Sequence, residues 1–209
     1  MDRVVAAVRQ YVLQPDEEIT NRRDWPGAVT FSTTRFAVEA KPADWLIGQE
    51  PWVDEAVRVV ADGAIENFAF TYGFAFTRTG EVLFLNEMAT MRELGRRVGT
   101  DLDPLAYAEL LSELYSGKIV DQPVVLANAA MSWFRAGELI RDVDAFVASY
   151  PWAAPVPVAP PAFLGDTIVF YSCHYYLTGQ RALDVLRWRV EVGSGQWERE
   201  YVAEGLEHL

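Results

Sequence analysis

Residues 67–77 of the chain read NFAFTYGFAFT, and their alternation decides the fold class. Large aromatic side chains occupy every second position, at Phe68, Phe70, Tyr72, Phe74 and Phe76. Because successive side chains of a β-strand point to opposite faces, this pattern predicts a strand with one aromatic face and one face of small residues. We expect the aromatic face to lie in the core. The small face would let a helix approach closely or leave room for a ligand.

A short apolar run, residues 82–85, follows the aromatic strand and predicts the second half of a hairpin. We predict a two-residue turn at Thr79-Gly80 between the two strands. This turn would place Phe74 opposite Leu85 and bring Leu85 onto the aromatic face.

The C-terminal region, from residue 167 onward, predicts three more strands that are again rich in aromatic side chains. In the last hairpin, a loop of even length near Ser194-Gly195 puts Trp188 and Trp197 on one face. A three-residue loop would mix the faces, because a slip of one residue exchanges them. We therefore predict an even loop, with Arg189 opposite Glu200.

Amphipathic spacing predicts five helices around these strands. Apolar residues recur three or four positions apart, and each run has a capping residue, a glycine or a proline at an end. The first run buries Val4 and Val8 after an Asp2 cap, and the fourth starts at Asp103-Pro104. The predicted helices cover about 2–12, 51–63, 90–99, 104–116 and 135–150.

A proline-rich stretch, residues 151–166, contains five prolines and cannot supply the hydrogen bonds of a sheet interior. We interpret it as a stiff, extended connector laid over the core. The alternative is a docking peptide for an aromatic groove, carried by residues 157–160. The chain as a whole predicts one α+β domain, residues 1–209, with an antiparallel sheet from two aromatic hairpin regions and amphipathic helices packed on it.

The composition limits the classes of partner. Hydrophobic residues make up 51% of the chain, which predicts a packed core. The net charge is −12, from 30 acidic and 18 basic residues, and no long basic run occurs. Because nucleic-acid binding depends on clustered Lys and Arg, we expect no nucleic-acid partner. An acidic surface instead suits a basic protein or peptide.

The cysteine and hydropathy patterns predict a cytoplasmic protein. The single cysteine, Cys173, excludes an internal disulfide and fits a reducing compartment. The N-terminal stretch lacks the pattern of a secretory signal, and the longest apolar run, residues 123–134, is too short to span a bilayer. We therefore expect no membrane association, and the sequence is compatible with a homo-oligomer.

Searches for catalytic and cofactor motifs do not indicate an enzyme. Two histidines and one cysteine offer no zinc-ligand spacing. No glycine-rich phosphate loop, dinucleotide fingerprint or Gly-x-Ser-x-Gly elbow follows any predicted strand. The sequence therefore predicts no cofactor, no metal and no catalytic residues.

The stretch FYSCHYY, residues 170–176, contains Cys173 and His174 side by side. On a strand these two side chains point to opposite faces, so they cannot form a thiolate–imidazole pair. We interpret Cys173 as a small buried hydrophobe. It could serve as a nucleophile only if His208 reached it.

The face that carries His174 is the predicted binding site. A turn at Gly179-Gln180 would set Cys173 opposite Leu186. Arginine forks match carboxylates and phosphates, so this face would recognise a small anion or an acidic peptide. The competing interpretation is a solvated sheet face. The predicted binding residues are Ser172, His174, Tyr176, Arg187 and Arg189.

Four tryptophans, Trp25, Trp45, Trp52 and Trp152, lie in or beside connecting segments. Indoles are enriched at interfaces, and the chain is acidic. Our hypothesis is a non-catalytic accessory, adaptor or immunity-type protein that recognises a protein or peptide through an acidic, Trp-rich surface. The alternative is a small-molecule-binding cup or small isomerase or hydrolase with an aromatic-lined pocket.

Overall fold

The computed structural model describes residues 2–63, 69–98, 103–115, 138–175 and 182–207, and it confirms the predicted α+β class. Its strands form antiparallel sheets of six and five strands, so the two aromatic hairpin regions lie in separate sheets. The chain divides into two compact units, each with one of the sheets. The first is Met1–Thr90 with Glu113–Ala127, and the second is Met91–Ser112 with Asn128–Leu209. The single domain of residues 1–209 stays a prediction.

The first unit is a meander in which each strand pairs with the next along the chain. Helix α1 (Asp2–Tyr11) precedes it, and a 3-10 turn (Leu46–Gln49) lies between its third and fourth strands. The strands are β1 (Thr20–Trp25), β2 (Ala28–Ser32), β3 (Phe36–Pro42), β4 (Val53–Gly63), β5 (Ala69–Thr77) and β6 (Val82–Phe84).

The predicted aromatic face of β5 lies in the core of the first unit, packed against α1. Phe74 is fully buried in one cluster with Val4 and Val8 of the helix. The Phe84 ring lies 5.1 Å from both the Tyr11 and the Phe74 rings, centroid to centroid. The aromatic face is thus confirmed for residues 70–76, whereas Phe68 lies outside the described residues.

The predicted register of this hairpin is wrong by one residue. Phe74 lies opposite Phe84, not Leu85. The loop has three residues, because the Thr77 N–H donates to the Glu81 carbonyl at 2.9 Å and Gly80 adopts a positive φ of 87°. Such a loop ends in a left-handed residue, which glycine adopts without steric cost.

The small face of β5 admits a close helix, as expected. A Cβ on Gly73 would lie 2.7 Å from the Leu114 side chain and 2.9 Å from the Trp45 ring. The Trp45 indole is buried there and donates to Glu113 Oε2 at 2.9 Å. The missing side chain of Gly73 therefore makes room for the last turn of a helix and an indole.

The predicted helix over 51–63 is wrong, since these residues form β4 in the middle of the sheet. Val53, Val57 and Val60 are spaced three or four apart, which suits a helix, but valine is β-branched and favours a strand. Neighbouring strands decided the outcome, because β4 pairs with both β3 and β5 along its length.

The other predicted helices are confirmed, with changes at the last one. They are α2 (Met88–Val98) and α3 (Pro104–Tyr115), and Asp103 accepts from the Leu105 N–H at the start of α3. The last helix, α4 (Val143–Ser149), is shorter than the predicted 135–150. Asp142 is its N-cap, and the Asp142 carboxylate accepts from the Ala145 N–H at 2.7 Å. Residues 138–139 form a strand, and residues 135–137 lie outside the described part.

The second unit contains a sheet in the order β11-β10-β9-β7, with β8 also paired to β9. The strands are β7 (Glu138–Leu139), β8 (Ala162–Leu164), β9 (Thr167–Tyr175), β10 (Ala182–Glu191) and β11 (Trp197–Glu207). The proline-rich segment begins with a 3-10 turn (Pro151–Ala153), and its Val156 and Val158 pack against the cluster around Cys173. This packing agrees with a connector laid over the core, whereas residues 162–164 of the same stretch form β8 and pair with β9. No helix in the described ranges is long and apolar enough to cross a membrane.

Candidate functional site

The register between β9 and β10 decides which predicted site residues share a face. His174 lies opposite Asp184, and Cys173 lies opposite Val185 rather than Leu186. The predicted register is therefore wrong by one residue. The predicted turn at Gly179-Gln180 lies outside the described residues, and a change of one residue in loop length exchanges the faces.

The five predicted residues consequently do not form one surface. Ser172 and His174 lie on one face of the sheet, and Arg187 and Arg189 lie on the opposite face with Cys173. Tyr176 lies outside the described residues. A joint role of these residues in binding stays a prediction. It was based on a shared face, which the register of β9 and β10 does not provide.

The His174 face contains a buried polar cluster that the sequence did not predict. Ser172 is only 1% exposed, and its Oγ accepts from the Trp188 indole N–H at 2.8 Å. The Trp188 ring also stacks on Phe170, with an interplanar angle of 6°. Asp184, buried opposite His174, accepts from the Gly205 N–H at 2.7 Å. Ser172 and Asp184 are thus used to hold the sheet together.

The burial of His174 and its neighbour Asp184 determine the protonation state of the imidazole. Burial lowers the pKa of the imidazole below its ordinary value, and the nearby Asp184 carboxylate opposes that shift only in part. The side chain is therefore neutral near pH 7, and the native state disfavours its protonated form.

We expect His174 to make the folded protein less stable in mild acid. An unfolded histidine titrates near pH 6.5, and the folded one titrates lower, so stability is full above about pH 6.5 and falls as the pH drops toward the folded pKa. The variant His174→Gln removes this loss. Thermal unfolding between about pH 7.5 and 5 should show the wild type losing Tm relative to the variant. Parallel curves would contradict the assignment.

On the arginine face, each arginine of β10 lies opposite a glutamate of β11. Arg187 forms a salt bridge with Glu200, and Arg189 lies opposite Glu198. The predicted even loop is confirmed. The backbone N–H of Glu191 donates to the carbonyl of Gln196, which leaves a loop of four residues between them. The predicted partner of Arg189, Glu200, is wrong, because the ladder is displaced by two residues. A shift of two keeps each residue on its face and changes only its partner.

Cys173 is a buried hydrophobe, as interpreted from the sequence. It is 4% exposed and lies in a cluster with Phe146 of α4 and Val185. Burial, followed by the charge of Glu138, raises the pKa of the thiol to about 12. The sequence offered His208 as the residue that could activate this thiol, and His208 lies outside the described residues.

Strand β11 presents its backbone at an edge of the second sheet, where among the described strands it pairs with β10 alone. The backbone N–H of Glu191 donates to the carbonyl of Gln196, so these two residues form a hydrogen-bonded pair. Along an antiparallel ladder, every second pair of opposite residues is hydrogen-bonded in this way. The backbone groups of Glu198 and Glu200 therefore point to β10. Those of Trp197, Arg199 and Tyr201 point away from it.

The side chains of β11 are strongly acidic. Glutamates are exposed along both halves of the strand, at Glu198, Glu200, Glu204 and Glu207. Tyr201 is 51% exposed. The glutamates are visible in the sequence, but their position on a sheet edge depends on the order of the strands.

The four tryptophans singled out from the sequence do not all lie at the surface. Trp25 is 53% exposed, whereas Trp45 is buried and Trp52 is half-buried. Trp152 is half-buried and packs on Tyr150, with ring centroids 5.6 Å apart. Trp25 is thus the exposed one of the four.

Comparisons with family models, curated proteins and solved structures find no match to this chain. In the described ranges, no group of three or more His, Cys, Asp or Glu is placed to hold a metal ion.

Proposed function

We propose that the protein is a cytoplasmic, non-catalytic binding protein that recognises an extended basic segment of a partner protein along the edge of β11. The observation that carries this proposal is the combination of outward-pointing backbone groups with exposed glutamates on one strand. Edge strands bind extended peptides by adding a strand to the sheet, and side chains then select the sequence.

The backbone of β11 offers a defined length for such pairing. Its ladder with β10 is regular from Trp197 to Tyr201, and irregularities follow where Ala203 pairs with Val185 and Leu206 with Leu183. A bulge bends a strand and ends regular pairing. We therefore place the partner strand opposite residues 197–201.

The charge of β11 supports a basic partner. Glu200 is already paired with Arg187, so the attraction of Lys and Arg, which acts within about 8 Å at physiological salt, comes from Glu198, Glu204 and Glu207. Like charges on facing strands are unfavourable, so the same glutamates oppose pairing of β11 with a second copy of itself. The strand thus discriminates by charge while its backbone supplies the affinity.

The alternative, a small enzyme with an aromatic-lined pocket, receives less support. The aromatic face of β5 is filled by α1, since Phe74 and Phe84 are 0% and 1% exposed. The Ser172 hydroxyl is buried and accepts from the Trp188 indole. The aromatic face of β5 is therefore covered by a helix, and the Ser172 hydroxyl is engaged by an indole.

The test is binding of a fluorescein-labelled peptide of alternating Val and Lys, about seven residues long, measured by fluorescence anisotropy. In the variant Arg199→Pro, the strand loses the N–H that points away from β10, and we expect affinity at least about tenfold weaker. The β10 ladder keeps its bonds, so circular dichroism should show an intact fold.

Two controls separate backbone pairing from general attraction to an acidic protein. The variant Arg199→Ala removes a positive charge but keeps the N–H, and it should bind the peptide at least as tightly as the wild type. The same peptide methylated on alternate nitrogens should not bind the wild type, even if Arg199→Pro fails to fold. Equal affinity of the wild type for the methylated and unmethylated peptides would overturn the proposal.

A further inference from the structure

The first unit has an open cleft of about 540 Å³ on the face of its sheet opposite α1. Six polar side chains line it: Asn21, Arg23, Thr30, Ser32, Glu39 and Asp62. Ala37 supplies an apolar side chain, and Phe31 and Val38 also border the cleft, although their side chains are buried in the core on the α1 side of the sheet. All of these lining residues belong to the first unit, whereas β11 belongs to the second, so the proposed peptide binding does not use them.

The cleft follows from the alternation of β1 to β4. Thr30 lies opposite both Arg23 and Glu39, and Ala37 lies opposite both Ser32 and Asp62. Their neighbours on the other face, such as Val29 and Val59, are in the core against α1. Small residues at Ser32 and Ala37 leave the depression, while longer polar side chains stand around it.

A backbone irregularity shapes one wall of the cleft. The pairing of β1 with β2 shifts between Thr20 and Arg23, and Asn21 within this bulge has a positive φ of 52°. Among the described residues, Asn21 is the non-glycine residue with such a backbone. Bulges re-aim side chains and occur frequently beside functional sites, where uncommon backbone conformations also cluster.

The polar groups of the cleft combine donors and acceptors with little net charge. Arg23 supplies a guanidinium, Asp62 a carboxylate and Asn21 an amide, whereas the Glu39 carboxylate is paired with Lys41 at 2.9 Å. Neither Arg23 nor Asp62 forms an ion pair with another described residue. The mixture disfavours a strongly charged ligand of either sign and suits a ligand whose groups both donate and accept.

Trp25 adds an aromatic surface on the same side of the sheet. It is two positions from Arg23 on β1, and its indole N–H donates to the Thr30 hydroxyl at 3.4 Å. This bond ties the ring to a residue of the cleft while half of the side chain stays exposed. Indole faces are electron-rich and pack against weakly polarised C–H groups.

We propose that this cleft binds a neutral polyhydroxylated ligand, a mono- or oligosaccharide, with one sugar ring against Trp25. Hydroxyl groups of a sugar donate and accept at once, so they match the alternating guanidinium, carboxylate, amide and hydroxyl groups of the cleft. The C–H face of a sugar ring matches the exposed indole. The open shape suits a chain of sugars that continues into solvent.

The test uses the full chain, fluorescently labelled, on a glycan array, followed by titration of the tightest-binding glycan in solution. We expect binding by the wild type, with affinity at least about tenfold weaker in Trp25→Ala, the loss typical of an aromatic anchor. Asn21→Gly keeps the positive φ but removes the amide, and it should weaken binding without unfolding the sheet. Raising the salt concentration should leave the affinity unchanged, since the ligand is neutral.

Each other outcome overturns the inference. An array without any bound glycan, or binding that Trp25→Ala leaves intact, would show that the cleft has no such ligand. Binding restricted to sulfated or sialylated glycans and lost in salt would indicate attraction to anions rather than recognition of hydroxyl groups. The peptide assay on β11 is independent, so either proposal can fail alone.

Discussion

Replacement of Gly95 by alanine should destabilise the protein by at least about 2 kcal/mol, although alanine is the better helix former. Gly95 lies within α2, and a Cβ there would be 1.9 Å from the carbonyl oxygen of Val192. Backbone cannot rotate away as a flexible side chain can, so the helix or the end of β10 must move. Calorimetry should record a fall in Tm of about 4–8 °C for a chain of this size.

A glycine elsewhere in the same unit gives a matched control. Gly193, next to Val192, has open space around the position of its Cβ and no positive φ. Gly193→Ala should therefore change the free energy of unfolding by no more than about 0.5 kcal/mol. Equal Tm values for the two variants would contradict the close approach of α2 to Val192.

The thiol of Cys173 should react very slowly in the folded protein. Its pKa of about 12, against an ordinary 9.0, leaves about a thousandfold less thiolate at pH 8 than an exposed cysteine has. Burial at 4% exposure further restricts access. Labelling with an aromatic disulfide reagent should therefore be slow in buffer and complete within seconds in denaturant.

A variant of the neighbouring carboxylate tests the cause of this suppression. Glu138 lies opposite Cys173 on β7 and is the second cause of the raised pKa, after burial. Glu138→Gln should speed labelling modestly, because burial continues to dominate. Rapid labelling of the wild type at pH 8 would show that Cys173 is exposed and would reopen its interpretation as a nucleophile.

Several elements could be predicted because the signal lies within one segment. The alternation of residues 70–76 defines an aromatic face whatever strand pairs with it, and α1 is defined by its own apolar stripe. Cys173 and His174 point to opposite faces in any register, since side chains alternate along a strand. These predictions depend on local geometry alone.

The failures concern relations between segments. Residues 53–63 carry valines that fit either a helix or a strand, and pairing with both β3 and β5 selected the strand. Both β5–β6 and β9–β10 differ from their predicted registers by one residue. In β5–β6 the difference comes from a three-residue loop in which Gly80 has a positive φ. One residue was enough to separate Arg187 from His174.

The candidate surfaces depended even more on tertiary structure. The residues of β11 alone do not reveal that this strand lies at a sheet edge, because the order of the strands decides that. They also do not reveal that the N–H of Arg199 points away from β10, because this depends on which residue pairs are hydrogen-bonded. The cleft beside Trp25 likewise requires four strands in register and a bulge at Asn21. The sequence by itself determined which side chains alternate, which stripe faces a core and how acidic the chain is. Only the tertiary structure decided which of those faces meet, because hydrogen-bond register and strand order are properties of pairs of segments that are distant in the chain.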